Sequence, residues 1–123
     1  MSTDPEQVGK AFLEYYYGLF GSNRAGLASL YQDQSMFTFE GNKCQGPAAI
    51  MAKLTSLPFN QCKITPASMD FQPSISGGII VFVTGHVQPE GENNALKFSQ
   101  VFHLMPVGTS FVVTNDMFRL NYG

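Results

Sequence analysis

The sequence predicts an α+β fold in which three short helices lie against one face of a curved antiparallel sheet. Apolar residues recur at helical spacing in the first half of the chain, and from Gln61 onward they alternate with a period of two. Helices that precede a run of strands are typical of a sheet with its helices on one side. A length of 123 residues suffices for one core, so we predict a single domain over residues 1–123.

Two helices are predicted at the N-terminus. Asp4 can accept a free backbone N–H and Pro5 suits the first helical position, so the first helix begins there. Its apolar stripe consists of Val8, Ala11, Phe12, Tyr15, Leu19 and Phe20. The segment 21–23 ends this helix and starts a second, shorter one, whose inward-facing residues are Leu27, Leu30 and Tyr31.

A first strand and a third helix follow. The strand is predicted over residues 36–40, and a turn at 41–42 leads into a short partner segment. Gly46 and Pro47 open the third helix, because Pro suits a first helical position. Pro58 ends that helix.

Four long strands complete the sequence. In the first of them the apolar residues change phase at Pro66, which predicts a β-bulge or a bend there. Three more strands are predicted at 79–88, 95–105 and 111–120, separated by turns that contain Gly, Pro and Asn.

The predicted strands carry apolar residues on both faces, whereas a sheet with one solvated face alternates apolar and polar residues. Val81, Val83 and Val87 point one way, and Ile80 and Phe82 point the other. Three short helices can cover only one face. We therefore predict a homodimer in which a second copy covers the other face through a C2 contact. An irregular, curled monomeric sheet is the alternative.

The composition narrows the class of partner. Charged residues make up 13% of the chain against a usual share of about 25%, which also favours a surface buried by a partner. The formal net charge is −2, so we expect no nucleic-acid partner. We expect no membrane insertion, because the longest apolar run, 79–83, is far shorter than the ~20 residues of a spanning helix. Cys44 and Cys62 are expected to be reduced thiols.

The sequence offers little for catalysis. His86 and His103 have no chelating neighbours, so no metal site and no cofactor are expected. One enzymatic alternative is an acid–base site of the ketosteroid-isomerase type. Its possible carboxylates are Asp70, Asp116 and Glu40, and its possible hydroxyls are those of Tyr15, Tyr16 and Tyr17. Two of the three tyrosines should point away from such a pocket, and Asp116 could instead satisfy backbone groups or pair with Arg119 or Lys97, so a structural role is favoured.

Acidic residues also occur beside apolar ones at two places. Glu90 and Glu92 lie in the turn 89–94, and Glu40 ends the first predicted strand beside Phe39. These carboxylates could be solvated turn residues, or they could surround an apolar mouth that receives a basic, aromatic segment of a partner. Composition does not separate the two interpretations.

Seven segments share a pattern that runs nearly end to end. They are Tyr15 to Phe20, Leu30-Tyr31, Thr38 to Gly41, Gln45-Gly46, Lys53 to Phe59, Gln100 to Phe102 and Thr114 to Leu120. Together they resemble the nuclear transport factor 2 family, and the blocks Ser56 to Phe59 and Thr114 to Leu120 are the most specific. The resemblance implies a cone-shaped, strongly bent antiparallel sheet packed against three helices, with dimers packed sheet to sheet.

The resemblance also implies a carrier rather than an enzyme. Such a carrier binds Ran in its GDP form and the FxFG repeats of nucleoporins, and it moves between cytoplasm and nucleus with enrichment at the nuclear pore. The implied Ran-binding carboxylates are Glu40, Glu90 and Glu92, and the implied cavity residues are Phe39, Leu57, Cys62, Leu96 and Phe118. The implied repeat-binding residues are Phe39, Met117 and Phe118.

Three positions depart from the animal members of this family. Phe39 stands where they have Trp, which keeps the aromatic face and loses area and the indole donor. Ile64 replaces a histidine near the cavity mouth. The turn with Glu90 and Glu92 is one residue longer and carries glutamates in place of aspartates.

Overall fold

The computed structural model describes residues 4–57 and 61–121. Its elements are α1 (Pro5–Ser22), a 3-10 helix (Arg24–Leu30), β1 (Tyr31–Phe39), β2 (Asn42–Gln45), α2 (Gly46–Thr55), β3 (Cys62–Pro73), a 3-10 turn (Ile75–Gly77), β4 (Ile79–Pro89), β5 (Leu96–Val107) and β6 (Ser110–Leu120). Helices concentrated in the first half of the chain and four long strands in the second confirm the predicted α+β fold. α2 ends at Thr55, and Pro58, its predicted end, lies outside the described residues.

Helix α1 begins where predicted, and its buried face overlaps the predicted stripe only in part. The Asp4 carboxylate accepts the N–H of Glu6 at 3.1 Å. The buried residues are Gly9, Leu13, Tyr16, Tyr17 and Phe20, whereas Tyr15 is 54% exposed. The predicted stripe is confirmed at Phe20, with Val8, Phe12 and Leu19 partly buried against the core, and it was wrong at Ala11 and Tyr15. The hydroxyls of Tyr16 and Tyr17 find polar partners in the core instead, which spacing along the helix does not reveal.

The second predicted helix is a 3-10 helix, and it ends before Tyr31. Tyr31 is buried at the start of β1, so its prediction as a helical residue was wrong. The strand begins at Tyr31 rather than at residue 36. Its first residues were missed because a register shift between Tyr31 and Met36 interrupts the pairing with β6. An apolar pattern with such an irregularity does not show a period of two.

The six strands form one sheet in the order β2-β1-β6-β5-β4-β3. Every neighbouring pair is antiparallel except β1 and β6, which are parallel. The prediction of a wholly antiparallel sheet was wrong at this pair because no hairpin joins these two strands and fixes their direction. Strands β2 and β3 are the two edges, so the sheet of the described residues is open rather than closed into a barrel.

The predicted irregularity at Pro66 is confirmed. The pairing of β3 with β4 shifts register between Pro66 and Ser68. Opposite this bulge, a Cβ on Gly85 would lie 2.3 Å from the carbonyl oxygen of Thr65. Only glycine allows the two strands to approach so closely.

Both faces of the sheet carry apolar residues, as predicted. The inner face packs against α1 and α2, and its fully buried residues include Val81, Val83, Phe102 and Leu104. On the outer face Ile80 and Phe82 are each 40% exposed. Val101 pairs with Phe82 on one side and with Met117 on the other, so these three residues are neighbours across the outer face. Met117 is 53% exposed.

Candidate partner-binding cavity

One end of the sheet forms a cavity of about 550 Å³ beside α2. It lies where β1 and β6 end, β4 ends and β5 begins. The lining residues are Phe39, Leu57, Pro89, Glu90, Glu92, Asn94, Leu96 and Leu120. The sequence predicted five of these as partner-binding residues (Phe39, Leu57, Glu90, Glu92 and Leu96), and the structure brings those five together.

Stacked aromatic rings form the apolar wall of this cavity. The ring of Phe39 lies parallel to that of Phe118 with the centroids 4.8 Å apart, and Phe118 in turn stacks on Phe98 at 5.3 Å. A smaller apolar hollow of about 40 Å³ shares Phe39, Pro89, Leu96 and Leu120 with the cavity and reaches Phe118. Phe118 is only 4% exposed, so Phe39 is the ring that a ligand in the larger cavity meets.

Glu90 and Glu92 lie on the turn between β4 and β5, with their side chains exposed. The N–H of Glu90 donates to the carbonyl of Gln61 at 2.9 Å, and the N–H of Glu92 donates to that of Pro89 at 3.1 Å. The amide of Gln88 donates to the carbonyl of Glu92 at 3.0 Å. These bonds hold the turn backbone while both carboxylates remain in water at the cavity.

Glu40 is the first residue after β1 rather than the last residue of the strand. Its backbone has a φ of 51°, and its N–H donates to the carbonyl of Phe118 at 3.0 Å. Its carboxylate accepts the backbone N–H of Leu120, a residue that lines the cavity. Glu40 is therefore fixed beside the mouth by β6, as expected of a residue held by the sheet.

Two predicted site residues lie elsewhere. Cys62 lines a separate groove of about 620 Å³ between α1 and β3, where burial raises the pKa of its thiol. Met117 lies on the outer face of the sheet, because neighbouring residues of a strand point to opposite sides. Met117 therefore does not form one site with Phe39 and Phe118.

The structure adds Lys53 to the environment of Phe39. Its ammonium nitrogen lies over the Phe39 ring, 5.6 Å from the centroid. Sequence reasoning included Lys53 in a family segment but assigned it no role. A basic residue in the last turn of a helix beside an apolar cavity is a weak signal, because cations are common at helix C-termini.

A second polar cluster is enclosed in the core. The Asp116 carboxylate accepts hydrogen bonds from the hydroxyls of Tyr16 at 3.1 Å and Tyr31 at 2.8 Å, and from the amide of Gln100 at 2.8 Å. The hydroxyl of Tyr17 donates to Gln100 at 2.8 Å. Asp116 therefore pairs with neither Arg119 nor Lys97, and two of the three adjacent tyrosines point inward rather than one.

Burial raises the pKa of Asp116 from 3.8 to about 6, and its three donors oppose that rise. Burial and the adjacent carboxylate raise the pKa of the Tyr16 and Tyr31 hydroxyls. A raised carboxyl pKa can indicate an active site. Asp116 and Tyr16, however, are both 0% exposed and lie below the surface of the protein. This cluster satisfies buried polar groups of the core.

The other parts of the enzymatic alternative do not converge. Asp70 is exposed on β3, Tyr15 points to solvent, and Glu40 accepts the N–H of Leu120 beside the cavity without lining it. Among residues 4–57 and 61–121, no group of three or more metal-ligating side chains occurs. Within the same residues, none of the helices combines the length and hydrophobicity needed to cross a bilayer.

Comparisons with known proteins agree with the resemblance. Residues 8–120 match the family model of the Nuclear transport factor 2 (NTF2) domain. The chain is 60% identical to Nuclear transport factor 2B of Arabidopsis thaliana, covering 97% of this chain and 96% of the relative. It is 54% identical to Nuclear transport factor 2 of Oryza sativa subsp. japonica, over 98% and 99% of the two chains.

A solved structure, nuclear transport factor 2 from Cryptosporidium parvum, superposes with a TM-score of 0.90 at 47% identity. The match covers 95% of this chain and 94% of that one. Fold, family model and sequence identity thus agree over nearly the whole length. The chain belongs to the nuclear transport factor 2 family.

Proposed function

We propose that this chain is a homodimeric carrier, a single domain over residues 1–123, that binds Ran in its GDP form and FxFG-repeat nucleoporins. In this role it mediates nuclear import of Ran, moves between cytoplasm and nucleus, and is enriched at the nuclear pore. It acts without cofactor or metal and catalyses no reaction. The relatives reported above are named as nuclear transport factors. The main support is the Phe39 cavity with carboxylates at its mouth.

The cavity suits an aromatic side chain flanked by basic residues. Phe39 and Leu96 offer apolar area, and full burial of a phenylalanine side chain is worth roughly 1.5–3 kcal/mol. The basic neighbours of that aromatic would pair with carboxylates as water leaves the mouth. Glu40 is half-buried and fixed by Leu120, whereas Glu90 and Glu92 are exposed. Glu40 should therefore contribute more to binding than either turn residue.

For the FxFG repeats, Phe39 is the accessible contact of the three proposed residues. Phe118 supports it from below, being 4% exposed. Met117 lies on the outer face, which the proposed dimer would cover. We therefore expect a repeat peptide and Ran-GDP to compete for Phe39.

The proposed dimer rests on the outer face of the sheet. Its central rows present Ile80, Phe82, Val101 and Met117, and the helices pack on the other side. An exposed apolar surface of this kind marks an interaction site. A second copy of the chain carries the same apolar face. In a C2 dimer the outer face of each protomer would therefore cover the outer face of the other.

Binding to Ran loaded with GDP or with a GTP analogue tests the carrier proposal directly. Calorimetry should detect binding to Ran-GDP and little to the GTP-analogue form. Equal binding to both forms would favour a dimeric adaptor that ignores nucleotide state. Absence of binding to either would refute the Ran carrier.

Variants at the mouth test the site itself. Glu40→Gln removes the negative charge but keeps an acceptor for the N–H of Leu120. A loss of Ran-GDP binding in this variant therefore reports the charge, whereas Glu40→Lys also removes the hydrogen bond that fixes the residue. We expect Glu40→Lys to nearly abolish Ran-GDP binding and Glu92→Ala to weaken it modestly, with the Glu92 effect fading in salt. Asp33→Lys, an equal charge change at an exposed position of β1, is the control.

A further inference from the structure

Lys53 is held beside the cavity by the end of helix α2. Its carbonyl accepts two hydrogen bonds from Ser56, one from the N–H at 3.2 Å and one from the hydroxyl at 2.7 Å. The side chain is half-buried and lies in the last turn, where the helix dipole favours a cation. Its backbone position is therefore fixed, while part of the residue remains exposed to solvent.

The ammonium lies over the ring of Phe39, beside the cavity that this ring lines. Phe118 stacks parallel to Phe39, with an interplanar angle of 2°, and so occupies one face of the ring. The Lys53 ammonium lies 5.6 Å from the centroid of the same ring. A cation at this distance is attracted to the ring.

The cavity mouth thus carries charges of opposite sign on two different elements. The cation of Lys53 lies at the end of α2, next to the Phe39 wall. The carboxylates of Glu90 and Glu92 belong to the turn between β4 and β5. A segment that enters between these two elements removes water from the ammonium and from the carboxylates alike. A charge that loses water without gaining a partner opposes binding. Lys53 therefore favours an acidic residue in the bound segment, and Glu90 and Glu92 favour a basic one.

We propose that the cavity selects a segment of bipolar charge. The segment carries an aromatic residue for Phe39, a basic residue on the side of Glu90 and Glu92, and an acidic residue that pairs with Lys53. This rests on the proposed function and adds a charge requirement that the carboxylates alone do not impose. Lys53 is then a specificity-determining residue. If it merely shielded the ring, removing it would strengthen binding.

Synthetic peptides test the charge requirement without Ran. Each peptide has about nine residues and one central phenylalanine. Two carry a lysine pair on one side and a glutamate pair on the other, in the two possible orders, and a third carries lysine pairs on both sides. Amide shifts of Asn94 and Leu120, which line the cavity, report binding.

We expect one bipolar order to bind the parent about tenfold more tightly than the all-lysine peptide. Lys53→Gln should erase this preference and Lys53→Arg should retain it. Lys43→Gln, at an exposed position of β2, removes the same charge away from the cavity and should change nothing. The proposal is refuted if the all-lysine peptide binds the parent as tightly, if Lys53→Gln binds every peptide more tightly, or if no peptide shifts these amides.

Ran-GDP provides the second arm. Lys53→Gln should weaken its binding about tenfold, with Lys53→Arg close to the parent. If the parent fails to bind Ran-GDP, the proposed function fails, and the peptides still decide the role of Lys53. If the parent binds Ran-GDP and Lys53→Gln binds it equally or better, the proposed role of Lys53 fails alone.

Discussion

Asp116 should make the protein less stable at neutral pH than near pH 4. Its carboxyl group is 0% exposed and lies among Tyr16, Tyr31 and Gln100, none of which carries a charge at these pH values. Burial raises its pKa from 3.8 to about 6 despite the three hydrogen bonds. The core therefore favours the protonated form of this group.

The sign and size of the effect follow from proton linkage. Between about pH 4 and pH 6 the folded protein keeps a proton on Asp116 that the unfolded chain has lost. The free energy of unfolding therefore falls as pH rises through this window and is constant with respect to this group above it. A rise of about two pKa units at 1.36 kcal/mol each corresponds to roughly 3 kcal/mol.

Asp116→Asn isolates this contribution. Asparagine keeps the size of the side chain and one acceptor oxygen, and the hydroxyls of Tyr16 and Tyr31 can turn to accept its N–H groups. Urea unfolding of parent and variant between pH 4 and 7.5 gives two curves of stability against pH. The difference between the two curves isolates the contribution of Asp116.

We expect the variant to gain roughly 3 kcal/mol relative to the parent as pH rises from 4 to 7. Asp70→Asn, at an exposed position of β3, should show no such trend. Ran-GDP binding should be unchanged in Asp116→Asn, because the cluster does not line the cavity. A difference between parent and Asp116→Asn that is independent of pH would refute the reasoning.

Three further outcomes are expected. Phe82→Glu puts a charge on the outer face and should convert the dimer to a folded monomer in sedimentation; a parent that is already monomeric at low micromolar concentration would contradict the dimer. Val83→Asp should instead unfold the chain, because Val83 is fully buried in the core and an unpaired buried charge costs several kcal/mol; a folded variant by circular dichroism would be the contrary result. Phe39→Ala should weaken FxFG-peptide binding by roughly 1.5–3 kcal/mol while the melting temperature changes little; peptide-induced amide shifts that stay far from Phe39 would argue against this site.

Much of the fold could be predicted because its signals are local. Asp4 starts a helix through its side-chain carboxylate and Pro5 through its fixed backbone angle, and the phase slip at Pro66 identifies a bulge within one strand. Alternation also identified the two apolar faces of β4. The parallel pairing of β1 with β6 could not be predicted, because it joins residues far apart in the chain without a hairpin between them.

The candidate site, like the fold, could be predicted in part from the sequence and in part only from the structure. The sequence determined by itself that the chain is an α+β protein with an acidic turn at Glu90 and Glu92 and an aromatic residue at the end of β1. Only the tertiary structure decided that Phe118 supports Phe39 and that Lys53 lies over the ring, whereas the opposite directions of Met117 and Phe118 follow from their being neighbours in one strand. Side-chain direction follows from local geometry, whereas the partner that a side chain meets depends on how separate elements pack, and no spacing along the chain encodes that directly.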